Sequence, residues 1–280
     1  MIKDVLVHLD GSSDDEIRLA HGEAIAAASQ AHVTGLFTNV LPDLASLTPM
    51  DGAAAAGVVA ELDDEARRAG DRTQQRLSER FSRLSVPSEL RRLDGTPGQL
   101  IGQVVSEARR ADLFVTKRPY ENSGSAQWDD LFEAVLFGGG RGIYVVPPGR
   151  QPPDTIRRIL VAWRDTRETT RAVAEAAPFI EKATRTSVLL VDPPKTPDGK
   201  SSLDIDIARH LNRYGSQVEV DFVTSNGRAV SDIILDHAHR MSADLIVMGG
   251  YGHSRVREWI LGGTSRDMLE RSDLPVLMAH

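Results

Sequence analysis

Short apolar runs recur along the chain, separated by stretches whose apolar residues fall three and four positions apart. The runs are rich in Val, Ile and Leu and show little alternation, the pattern of strands buried on both faces of a parallel sheet. They place strands near residues 3–9, 31–38, 88–93, 112–116 and 142–147, then near 158–163, 185–191, 217–223, 244–248 and 274–278. Between them, spacings such as Ile101-Val104-Val105 and Val230-Ile233-Ile234 predict amphipathic helices. Regular strand–helix alternation implies right-handed crossovers and a doubly wound α/β fold.

The pattern occurs twice. "DVLVHLDGSSDDEIRLAHGEAIAAA" at 4–28 reads as strand, turn and helix, and so does "RILVAWRDTRETTRAVAEAAPFI" at 158–180. "RRADLFVTKRPY" at 109–120 matches "MSADLIVMGGYG" at 241–252, and a strand–turn–helix unit precedes each. The duplication predicts two tandem five-stranded parallel-sheet domains, 1–149 and 155–280, joined by the proline-rich "PPGRQPPDT" at 147–155. Residues 40–60 depart from the pattern, with weak periodicity and many small residues. They are expected to be a surface loop, a lid being the alternative. The mixed charges of "ELDDEARRAGDR" at 61–72 predict a solvated helix face.

In open α/β sheets, ligands bind beyond the carboxyl ends of the strands, where the strand order reverses. The first strand ends in "HLDGSS", which puts Asp10, Gly11 and Ser12 at that rim. Asp10 is a candidate acceptor for a ligand's amine or hydroxyl groups; a turn or N-cap role is the alternative. In the second half, "LIVMGGYG" runs a strand into Gly249, Gly250 and Gly252, followed by "HSRVREWIL" and then "GGTS". Bare backbone there could admit an anion to N–H groups at a helix start, with His253, Ser254 and Arg255 as further donors. Gly262, Gly263, Thr264 and Ser265 would supply a second bare patch with two hydroxyls. Glycine also serves turns and helix ends, so the fixed spacing of the two clusters matters more than either alone.

Gly249-x2-Gly252-x9-Gly262, the "VLVHLDGS" opening and the repeated five-strand unit together resemble the universal stress proteins, as a tandem of two such domains. The resemblance implies an ATP-type adenine nucleotide, with or without Mg, held by the first-strand aspartate and the glycine motif. It also implies pairing of the domains through their last strands, here "IYVVPP" at 143–148 and "PVLMAH" at 275–280. Such pairing can be intramolecular, and a homodimer of the whole chain would be a further step. Neither half carries the full set. Half one keeps Asp10 but has Lys117 and Tyr120 where half two has Gly249 and Gly252, while half two has Arg164 where half one has Asp10. Gly263 also stands where the family has Ser or Thr. Half two is therefore the expected nucleotide site, with Arg164 adding positive charge.

Composition narrows the classes. The 280 residues are 41% hydrophobic and 26% charged, with a formal net charge of −7 and no cysteine. That excludes disulfides and thiolate metal sites and argues against a nucleic-acid or anionic-membrane binder. No apolar run approaches a membrane span of roughly 18 residues and no leader pattern is read, so a cytoplasmic protein is expected. His237 and His239 lie two apart on a helix and make poor co-ligands; with His8 and His253 they form no metal spacing. Trp128, Trp163 and Trp259 are read as packing or interface residues. No nucleophile elbow, zincin or Walker A pattern occurs. The expected function is a stress-survival regulatory module without dedicated catalysis, at most a weak ATPase. A scaffold with two decayed sites is the alternative. An adenine-nucleotide α-hydrolase ranks below both, because "LDGSSDDE" only faintly echoes that phosphate loop.

Overall fold

The structure is a computed structural model that describes residues 1–43, 53–120, 126–193, 202–251 and 263–280. Its first half runs β1 (Asp4–Leu9), α1 (Asp15–Ser29), β2 (His32–Val40), α2 (Ala53–Phe81), β3 (Ser88–Gly95), α3 (Pro97–Ala108), β4 (Leu113–Lys117), α4 (Ala126–Gly138) and β5 (Gly142–Val146). The second half follows with β6 (Arg158–Ala162), α5 (Arg167–Ile180), β7 (Arg185–Val191), α6 (Ser202–Asn212), β8 (Gln217–Val223), α7 (Val230–Arg240), β9 (Leu245–Gly249), α8 (Gly263–Arg271) and β10 (Val276–Ala279). Each strand expected from the apolar runs is present, with ends shifted by at most two residues.

The ten strands of the described residues form one sheet in the order β3-β2-β1-β4-β5-β10-β9-β6-β7-β8. Each half has the same internal order, third-second-first-fourth-fifth, with parallel pairing throughout. The halves meet at β5 and β10, which pair antiparallel with Val145 opposite Val276, Tyr144 opposite Leu277 and Ile143 opposite Met278. Side chains alternate across that seam. Tyr144 and Leu277 enter one core layer, with residues of α1, α2, α5 and α6. Ile143, Val145, Val276 and Met278 enter the other, with residues of α3, α4, α7 and α8. Both layers run through both halves.

Local chemistry sets the elements. Thr96 and Gln99 make a capping box around Pro97 at the start of α3, and the Thr166 hydroxyl accepts the Thr169 N–H at the start of α5. Gly35 in β2 has a packing reason: a Cβ there would lie 2.2 Å from the Phe81 ring tip, so the missing side chain seats α2 on the sheet. The 40–60 expectation needs correction at its far end. Residues 53–60 are the opening turns of α2, because a run of alanines has the highest helix propensity; residues 44–52 lie outside the described part. Residues 61–72 are helical, with Arg67 paired to Asp63 and Arg68 to Asp64 across one turn.

The proline-rich segment after β5 is tied to the first half by His21. Its Nε2–H donates to the Arg150 carbonyl (2.9 Å), which leaves Nδ1 to accept from the Tyr144 hydroxyl (3.2 Å). Contacts also cross the seam above the sheet, where Lys182 Nζ donates to the Ala28 carbonyl (2.5 Å) and Arg171 donates to the Gly140 carbonyl (2.6 Å). Leu277 is fully buried at the seam. Leu277→Ala is expected to lower the unfolding free energy by about 2–5 kcal/mol, measured as a reduced urea midpoint with an unchanged slope.

Candidate functional site

In each half the first and fourth strands lie side by side, at the place where the strand order reverses. Val5 pairs with Leu113 in one half and Ile159 with Leu245 in the other. Carrying that register forward sets Asp10 against Arg164 and Lys117 against Gly249 as equivalent positions. The two rims therefore share a frame and differ in the residues that end their strands.

At the first rim the protein fills its own site. Asp10 Oδ1 accepts from Arg18 (2.5 Å), from the Ser12 hydroxyl (2.6 Å) and from the Ser12 N–H (3.2 Å), while Oδ2 meets Lys117 Nζ at 2.9 Å. Arg18 also pairs with Asp15. The Asp15 carboxylate in turn accepts the backbone N–H groups of Asp10 (3.0 Å) and Gly11 (2.9 Å). The Gly11 carbonyl accepts from Arg76 (2.9 Å). Asp10, Gly11 and Ser12, the ligand contacts expected in the first half, thus have their polar groups engaged by neighbouring residues. The charge that a ligand's donors would meet is answered by Arg18 and Lys117.

Arg18 is the residue that sequence reading missed. It is 1% exposed, and its Nε and Nη1 make no hydrogen bond among the described residues. An arginine one turn into an amphipathic helix reads as a solvated charge, and only the fold turns it inward between two aspartates. Burial alone would push the Asp10 carboxyl up, but the charge and hydrogen bond of Arg18, with His8 and the Ser12 hydroxyl, together outweigh it and hold the carboxyl far below the usual carboxylate range. Burial, with the facing Asp10 charge, raises the Asp15 carboxyl from its ordinary value despite Arg18. His8 lies beneath the cluster, with Nε2 2.9 Å from the Thr38 hydroxyl and its ring 4.9 Å from that of Trp128. Burial, reinforced by Arg18, lowers its pKa from 6.5 to about 3, so the ring is neutral. Trp128 also packs under Lys117, whose Nζ is 5.5 Å from the indole centroid.

At the second rim, Arg164 is exposed just beyond β6. The bare backbone expected at the first glycines is covered. A Cβ on Gly249 would fall 2.6 Å from the Thr169 nitrogen, so the missing side chain lets the start of α5 close onto β9. At Gly250 a Cβ would fall 2.7 Å from the Met278 sulfur. The Gly250 N–H donates to the Ala279 carbonyl (2.8 Å), and its own carbonyl accepts from His280 Nδ1 (3.0 Å). Gly252, His253, Ser254 and Gly262 lie outside the described residues, as do Arg255 and Trp259.

Among the described residues, a Cβ on Gly263 would meet nothing within 4 Å; Gly263, Thr264 and Ser265 form the first turn of α8, where backbone N–H groups have no partner within the helix. The two ends of the motif touch, because the Tyr251 N–H donates to the Ser265 hydroxyl (3.3 Å). That hydrogen bond lies at the carboxyl end of β9, and Arg164 follows β6, the strand paired with β9. The first turn of α8 carries N–H donors and the Thr264 hydroxyl, and an arginine stands where the first half has the Asp10 carboxylate. His237 and His239 go to different partners, Asp221 (3.1 Å) and Asp273 (2.7 Å). No group of three or more His, Asp or Glu among the described residues is arranged to hold a metal.

The family model described as Universal stress protein family matches residues 155–280. That stretch is a universal stress protein domain, and the chain has homologues among such proteins. Universal stress protein Slr1230 from Synechocystis is 30% identical over 67 residues, 24% of this chain and 22% of that protein. Stress response protein NhaX from Bacillus subtilis is 32% identical over 68 residues, 24% of this chain and 39% of that protein. The matched stretches therefore span well under half of those relatives. Among solved structures, a universal stress protein from Archaeoglobus fulgidus DSM 4304 superposes with a TM-score of 0.73 at 18% identity, covering 99% of this chain and 95% of that one. A functionally unknown protein from Pseudomonas aeruginosa PAO1 gives a TM-score of 0.57 at 17% identity, covering 99% and 92%. At these identities the likeness establishes the fold, and it extends over both halves.

The buried His8 makes stability depend on pH. Between its ordinary pKa of 6.5 and its folded value of about 3, the unfolded chain binds a proton that the folded chain refuses. Stability is therefore complete above the unfolded value and is lost as pH falls through this window. His21, also lowered by burial, acts in the same direction. Urea midpoints measured from pH 7 to pH 4 are expected to fall, and His8→Gln is expected to flatten that slope.

Proposed function

We propose that the chain is a tandem universal stress protein, with domains at 1–149 and 155–280, that binds an adenine nucleotide of the ATP type in its second half. The observation that carries this reading is the Tyr251–Ser265 hydrogen bond, which brings both described ends of the glycine motif together at the carboxyl end of β9. The first turn of α8 and the exposed Arg164 supply donors and positive charge for phosphates. Mg2+, if used, would enter with the phosphates. The β5–β10 seam is the joint through which the two domains pair.

The module regulates by ligand occupancy in a cytoplasmic setting. The described residues of the second rim include no base placed to activate a water, so hydrolysis of ATP would be slow. A second reading is a scaffold that binds a protein partner. It is favoured by the ion cluster that fills the first rim and by the packing that covers Gly249 and Gly250.

Calorimetry with ATP, ADP and AMP, with and without Mg2+, separates the two. Binding is expected, and Gly252→Tyr is expected to weaken it at least roughly tenfold, since that substitution copies the residue at the matching place in half one. Affinity that survives Gly252→Tyr would move the site out of the second half. Absence of binding, with no nucleotide retained through purification, would leave the scaffold reading. Turnover well above a slow background would favour an enzyme instead.

A further inference from the structure

Where the second half has the Gly252 of its motif, the first half has Tyr120, and that tyrosine does not face its own rim. Its backbone takes a left-handed conformation (φ 64°), and its N–H is held by the Asp129 carboxylate at 2.7 Å. Its hydroxyl reaches across the seam to lie 2.7 Å from that of Tyr251, which is itself left-handed at φ 52°. The Tyr120 hydroxyl donates to Glu133 on α4 at 2.7 Å. The order of donors is then fixed, with Tyr251 donating to Tyr120 and Tyr120 to Glu133. Two bulky residues in the left-handed region, which their side chains disfavour, stay there only where surroundings over-determine them.

The same first-half residues reach both ends of the second half's motif. Phe137 of α4 packs on the Tyr251 ring (5.7 Å between centroids) and on His280 (4.7 Å), the residue that donates to the Gly250 carbonyl. On the other side of the motif, the Arg266 guanidinium of α8 stacks 4.8 Å over the Tyr120 ring. Arg266 is next to Ser265, which accepts the Tyr251 N–H. Burial, followed by the hydrogen bond to Tyr251, raises the Tyr120 pKa, and burial raises that of Tyr251 to about 12. Both hydroxyls therefore keep their protons at any physiological pH. The other end of α4 carries Trp128, packed against His8 and Lys117 of the first rim.

We propose that the first half serves the second as a clamp: Tyr120 and Glu133 are positioning residues that hold Tyr251 and the start of α8 in the geometry that binds the ligand. The tyrosine that stands in the first half at the place of the motif glycine thereby supports the motif of the second half. This inference rests on the nucleotide reading for the identity of the ligand, while the clamp itself can be read without one.

Tyr120→Phe removes the hydroxyl and keeps the ring under Arg266. In the full-length chain it is expected to leave the urea midpoint nearly unchanged while speeding amide hydrogen exchange in peptides covering 245–251 and 263–271. Exchange in β2 and β3 is expected to stay as in the parent. ATP affinity by calorimetry is expected to fall about tenfold in Tyr120→Phe, and Glu133→Gln, which keeps an acceptor oxygen, is expected to remain near the parent. If the parent binds no nucleotide, the nucleotide reading fails and exchange alone decides the clamp. Unchanged exchange at both peptides in Tyr120→Phe, or unchanged affinity in a parent that binds ATP, would overturn it.

Discussion

A parallel sheet leaves its last strand with a row of unpaired N–H and C=O groups, a standing invitation to aggregation. In this chain two such rows satisfy each other, β5 against β10 in antiparallel register. The alternation of side chains along that seam decides the rest. Tyr144 and Leu277 extend one apolar layer across it, and Ile143, Val145, Val276 and Met278 extend the other. Two cores that would each end in solvent become two continuous sheets of packing. The outer edges are handled differently. β3 is laced with charge, through Arg91 to Glu107 and Arg92 to Asp71 and Asp94. β8 leaves Phe222 exposed.

With the frame shared, the two rims show what duplication leaves free to change. Both have a strand end beside a crossover helix, and the difference between them is mostly charge. The first rim sets Asp10 and Asp15 against Arg18 and Lys117 and nearly cancels. A buried cluster of this kind contributes little net stability, because desolvating four ions offsets their attraction; its effect is to occupy the space and fix the residues around it. The second rim carries an exposed arginine, Arg164, and the start of α8. Gly249 shows why a motif and a packing requirement are hard to separate, since the α5 backbone sits where its side chain would be.

The architecture was readable from the residues because burial on both faces leaves an unmistakable trace of short β-branched runs, and because the halves could be read against each other. The strand ends, the order of elements and the equivalence of Lys117 with Gly249 all came from that comparison. The start of α2 was misjudged because alanines carry helix propensity but no periodicity. Arg18 and the Tyr120–Tyr251 contact were invisible for a different reason. Each depends on a residue more than a turn away or across the seam, 131 positions apart for the tyrosines. One sequence records such a contact only as an unexplained residue, as Tyr120 was when it appeared merely as a lost glycine.

The antiparallel seam also bears on how two such units come to share one chain. Because β5 and β10 run in opposite directions, the carboxyl end of β5 lies level with the amino ends of β9 and β6, near Leu245 and Ile159. Three strand spacings, roughly 14 Å, separate the end of β5 from the start of β6. Residues 147–157 could reach roughly 35 Å if extended, so the connection has slack and can detour to be pinned by His21. Had the seam been parallel, the chain would have had to cross the whole length of the sheet before starting again. A tether this short holds the partner edge at an effective concentration in the millimolar range or above. A separate second copy, dilute in solution, would have to compete with an edge that is already delivered.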